Sequence, residues 1–209
     1  MDGREVANSV REWLGQERLE VRGEDDERAH CHLVIRYPHG KQGHLFGIIV
    51  PKGRDIVIVQ SMTRVDSGQQ MEMSKHMKDD PDGWKEWIHE ARLSLINTGV
   101  DWAIHMGHDG KSKPGPLQAF NVSKPIWFDG LTKDQLMQTL RQLWMAKLTL
   151  IHEIKFTHGL GTGEPGPVDD WNAQEKQIRS QKEQPTKRHQ IEFDEDGSFG
   201  NGFNPSDWV

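Results

Sequence analysis

Four histidines and the single cysteine of this chain fall within fifteen residues, in the segment AHCHLVIRYPHGKQGH (Ala29 to His44). Imidazole nitrogens and a thiolate are zinc ligands, so the first chemistry to weigh is a metal centre. Alternation along a strand from Ala29 to Tyr37 sends Cys31, Leu33, Ile35 and Tyr37 to one face and His30, His32, Val34 and Arg36 to the other. The thiol therefore goes with the core, and only two imidazoles remain together where zinc takes three or four protein ligands. His44, in phase on the next strand, or His105 would have to complete a site. The expectation is a polar strand face with no metal; a metal-dependent hydrolase built on His30, His32, His44 and His105 is the alternative.

Other chemistry-bearing motifs fail on spacing. LIHEIKFTH holds His152, Glu153 and His158, but histidines that share one helix face stand four apart, and these are six apart, about 240° around the axis. HDGKS resembles the end of a phosphate-binding loop, yet the glycine required five residues before Gly110 is His105. GLGTG (Gly159 to Gly163) follows a helix rather than a strand and reads as a stop and linker. Asp101, His105, His108 and Asp109 form the nearest approach to an acid/base set, with no Ser or Cys nucleophile beside them, and Asp109-Gly110 is itself a turn signal. Glu86, His89 and Glu90 read as a charged helix face.

The elements that would carry these residues follow from periodicity. Val6, Val10, Trp13 and Leu14 make an amphipathic stripe that ends near Gly15. Four strands follow, near Leu19 to Arg22, Ala29 to Tyr37, Leu45 to Val50 and Asp55 to Met62. GEDDE, PHGKQG and PKGRD mark the turns of an antiparallel meander between them. A second helix is expected over about Met71 to Ile96, with DDPDG (Asp79 to Gly83) as the place where it would break and Asp80 or Asp82 as the cap of its restart. Two further strands, Val100 to Met106 and Leu117 to Ile126, flank the loop GHDGKSKPGP. A last helix starts on a capping box of Thr132 and Gln135 and runs to Gly159.

Trp13, Trp84 or Trp87, Trp102 and Trp144 lie on apolar stripes and belong to the core, while Trp127 stands beside Phe128 at an element end, where an exposed pair would form an interaction surface.

Beyond Gly159 the composition changes. Residues 160–209 hold five basic and ten acidic residues, against 21 and 22 in residues 1–159. The expectation is an α+β domain over 1–159 and a flexible Gly/Pro/Gln-rich acidic tail over 160–209. Within the tail, residues 191–209 carry Phe193, Phe199, Phe203 and Trp208 among five acids and no base, the composition of a docking peptide. The near-neutral domain lacks the electrostatic footprint of phosphate-backbone binding, so nucleic acid or a ribonucleoprotein, met through Lys111 and Lys113, is a lesser alternative. The charged start lacks a signal-peptide core, no apolar run reaches membrane-spanning length, and one cysteine suits a reducing compartment; the expected location is the cytoplasm, with no membrane partner.

The order helix, meander, helix, strand pair, helix over about Arg4 to His158 resembles the secretion-chaperone-like α+β superfold and the uncharacterised prokaryotic domain families that share it. The resemblance implies a twisted antiparallel sheet with helices on one side, homodimerisation through sheet or second-helix surfaces, and no catalysis or cofactor. It also implies apolar patches that hold an extended partner segment: here Val34, Phe46 and Ile48 on the outer strand face and Val6 or Val10 on the first helix. The function expected is a polypeptide-binding module, chaperone- or adaptor-like, with the tail docking a second partner.

Overall fold

The computed structural model describes residues 2–40, 43–108 and 114–162. The chain divides into two units, Met1–Trp171 and Asn172–Val209, and the described residues lie in the first.

Asp2 opens helix α1 (Gly3–Gln16). Its carboxylate accepts the N–H groups of Arg4 (2.7 Å) and Glu5 (2.9 Å), and Glu5 returns the bond by accepting the Asp2 N–H at 2.9 Å. This reciprocal cap leaves two fewer orphan donors at the helix start. Val6, Val10 and Leu14 then fall on the buried face at the expected spacing. A meander follows: β1 (Val21–Glu24), β2 (Ala29–Tyr37), β3 (His44–Pro51) and β4 (Ile56–Arg64).

The second helical region is two helices. Asp66 caps α2 (Ser67–Asp79) four residues before the expected start, and Pro81 occupies the first turn of α3 (Pro81–Asn97), where its missing N–H costs nothing. The hairpin β5 (Asp101–His108) and β6 (Pro114–Trp127) leads to α4 (Lys133–His158). Thr132 accepts the Gln135 N–H at 3.1 Å, but the Gln135 side chain turns to Thr139 (3.4 Å), so half of the expected capping box forms.

Among the described residues, six strands pair antiparallel in the order β1-β2-β3-β4-β6-β5. The last hairpin folds back so that β6, not β5, joins the meander. The four described helices pack on one face. Residues of every helix join Leu33, Ile35, Phe46, Ile48, Val57, Val59, Phe120 and Val122 of the sheet in one apolar cluster. The fold is therefore α+β with helices on a single side, as the resemblance implied.

Candidate functional site

The register places a second apolar set on the face that no helix among the described residues covers. On β2 and β3 the pairs facing this side are His32 with Ile49, Val34 with Gly47 and Arg36 with Leu45. On β4 and β6 they are Ile56 with Trp127, Ile58 with Pro125, Gln60 with Ser123, Met62 with Asn121 and Arg64 with Ala119. Ile49 also pairs with Ile58, which joins the two halves into one stripe. Leu45, Ile56, Ile58 and Ala119 are buried yet stand apart from the helix-side core. Val34, Ile49 and Pro125 are half-buried, and Met62 and Trp127 are exposed. An antiparallel sheet packed on one side alternates apolar and polar residues. The central strands do not, because LFGIIV and IVIV are apolar on both faces. That absence of alternation is the sequence signal that marks this face.

Two residues expected on it are elsewhere. Phe46 and Ile48 pair with Ile35 and Leu33 and are fully buried on the helix side, so the outward members of β3 are Leu45, Gly47 and Ile49. A run apolar at every position does not announce which half faces inward, and pairing with the alternating β2 decides it. Val34 is outward as expected, while Val6 and Val10 of α1 are fully buried in the core. Gly47 leaves a trough in the face: a side chain there would first meet Gln60 at 3.5 Å and His32 at 3.8 Å.

The histidines do not converge. Between Ala29 and Cys31 the β2–β3 register shifts by one residue, a bulge that turns His30 against Gly3 of α1. His32 stays outward, 3.7 Å from both Glu24 and Asp26. His44 pairs with Tyr37, on the opposite side from His32. Tyr37 itself packs edge-on against Phe46 and Trp144 with the core. His105 is outward and bonds Asn121 at 2.9 Å, but β5 lies four strand positions from β2, about 19 Å at ~4.8 Å per step. Among the described residues no three His, Cys, Asp or Glu side chains form a metal-binding group. Cys31 is buried, and burial pushes its thiol pKa up.

Trp127 is 61 % exposed at the end of the face, with Phe128 half-buried behind it. Trp84 and Trp87 are buried and stacked, their ring centroids 5.1 Å apart. His158 closes over them from the last turn of α4, 4.6 Å from the Trp87 ring and 5.6 Å from His76. Phe193, Phe199, Phe203 and Trp208 lie outside the described residues, as do Lys111 and Lys113. No described helix is long and apolar enough to cross a membrane.

This two-layer arrangement has relatives. The family model described as "Uncharacterized conserved protein (DUF2299)" matches residues 6–154. The chain belongs to that family. The matched span runs from α1 to the last turns of α4 and so takes in the whole sheet. A crystal structure of an uncharacterized protein from Methanothermobacter thermautotrophicus is similar at 27 % identity, covering 76 % of this chain and 100 % of that one with a TM-score of 0.63. No curated protein matches.

Proposed function

We propose that this protein is a non-enzymatic polypeptide-binding module, chaperone- or adaptor-like, whose sheet face opposite the described helices holds an extended segment of a partner. The observation that carries this reading is the apolar set Val34, Ile49 and Pro125, half-buried, with the exposed Met62 and Trp127, which surrounds the buried Leu45, Ile56 and Ile58 on the side away from the helices. Covering apolar surface of this kind is favourable by about 25 cal/mol per Å². The element order that resembles secretion chaperones supports the same reading, and a homodimer is its corresponding oligomeric state. The acidic aromatic segment 191–209 serves as a second docking element, supported by its four aromatics and five acids without a base.

A reduced and alkylated, permanently unfolded protein is a suitable probe. Ile49→Asp places a charge on a half-buried outward position. With the melting temperature held within a few degrees of wild type, it is expected to weaken probe binding at least tenfold. Equal binding by Ile49→Asp and Val34→Asp would put the contact elsewhere and overturn the reading.

A further inference from the structure

Trp127 ends the sheet face in a cleft rather than a flat edge. The turn before β4 and the turn after β6 are locked together by the Phe128 N–H, which donates to the Asp55 carbonyl at 3.0 Å. Gly130 N–H closes the second turn on the Trp127 carbonyl at 3.1 Å. Asp55, Trp127, Phe128 and Asp129 line the resulting cleft of about 460 Å³. Both aspartates are exposed, and neither forms an ion pair among the described residues. Lys52, in the same turn, spends its amine on the Glu27 carbonyl at 2.7 Å.

An exposed indole that shares a cleft with two carboxylates free of ion pairs among the described residues is complementary to a cation, since the ring face attracts positive charge and the carboxylates accept its N–H groups. The opposite end of β4 has the opposite character. Arg64 stands there, exposed, beside Ala119. From Ile56 to Arg64 the strand spans nine residues, about 26 Å at ~3.3 Å per step. A segment lying along this face would therefore meet Asp55 and Asp129, with Arg54 in the same turn, at one end, then Ile56, Ile58 and Pro125, then the Gln60–Ser123 and Met62–Asn121 pairs, and Arg64 at the other end.

We infer that the partner segment is an extended peptide of about nine residues with apolar side chains at alternate positions and a Lys or Arg at one end, and that this cationic side chain seats on Trp127 between Asp55 and Asp129. This rests on the reading of the sheet face as the binding surface. Charge complementarity of exposed groups selects orientation and partner more than it adds affinity, so the effect to measure is a ratio.

The test uses the full chain and three fluorescein-labelled peptides with blocked termini, each alternating Leu and Gln and ending in Lys, Gln or Glu. Fluorescence anisotropy is expected to rank them Lys, Gln, Glu, with the Lys peptide about three- to tenfold tighter than the Gln peptide. Asp55→Asn with Asp129→Asn, or Trp127→Ala alone, is expected to bring that ratio close to one while the Gln peptide still binds. Ile49→Asp is expected to lose all three. Equal affinity of wild type for the Lys and Gln peptides, or an unchanged ratio in the Asn double variant, overturns the cation seat and leaves the sheet-face reading standing. Binding of all three peptides that Ile49→Asp does not weaken, or no binding at all, overturns the sheet-face reading and the seat with it.

Discussion

Burial against the stacked tryptophans, aided by the nearby His76 and opposed by Glu72, lowers the His158 pKa from an ordinary 6.5 to about 4. The groups facing it are His76 and Glu72 from α2 and the Trp84 and Trp87 rings from α3, and Nε2 has no hydrogen-bond partner among the described residues. The unfolded chain takes up this proton near pH 6.5 and the folded chain resists until about pH 4. Stability is therefore whole above pH 6.5 and falls as the pH drops through that window, by roughly 3 kcal/mol in all at ~1.36 kcal/mol per pH unit. Urea denaturation at pH 7 and pH 5 measures the slope, and His158→Phe is expected to flatten it. An unchanged slope in that variant would assign the loss to other groups. The residue lies four after Ile154 on the buried stripe of α4, so its burial was legible in the spacing. Its tryptophan neighbours were not, because they come from a helix some 70 residues earlier.

At the scale of elements, Asp66 is the tie between β4, α2 and the end of α4. One carboxylate accepts the N–H groups of Gly68 (2.7 Å) and Thr162 (2.8 Å) and the Thr162 hydroxyl (2.7 Å), bonds that hold its pKa below the usual carboxylate range. Gln69 adds a bond from its side-chain amide to the Gly159 carbonyl at 2.8 Å, which fixes the end of α4 against the start of α2. Asp66→Ala is expected to cost about 1–2 kcal/mol through the lost cap and to speed amide exchange at Thr162. Lys147 makes a similar tie inside the core. Its amine is fully buried, donates to Ser61 at 2.9 Å and lies 5.6 Å from the centre of the Phe46 ring, while Ser61 donates to the Leu45 carbonyl at 2.5 Å. Ser61→Ala removes that link between α4, β4 and β3 and is expected to destabilise the fold by about 1–3 kcal/mol in a urea titration. Gly47→Val tests the face itself. The backbone there needs no glycine, and the added Cβ meets Gln60 and His32 at ordinary contact distances. The melting temperature should hold while the filled trough weakens the unfolded-protein probe.

For the whole molecule the decisive quantity is strand order. Inserting β6 between β4 and β5 carries His105 to the far edge from His32, and the bulge at His30 removes another member of the histidine set from the face. Dialysis against a chelator is therefore expected to leave the melting temperature unchanged. One zinc per chain that His32→Ala or His105→Ala released would contradict the topology. The existence and type of most elements could be read directly: period-2 alternation in β2, the 3.6-residue stripes of α1 and α4, and Pro81 as a break are local patterns that backbone geometry imposes on short stretches. What the sequence by itself determined was this grammar of elements, the α+β class and the compositional change near Gly159. Which face of β3 and β4 turns to the helices, where β6 inserts, and which histidines and tryptophans meet were decided only by the tertiary structure. Runs such as LFGIIV and IVIV satisfy either face equally, and only pairing with β2 and packing against the helices break that symmetry.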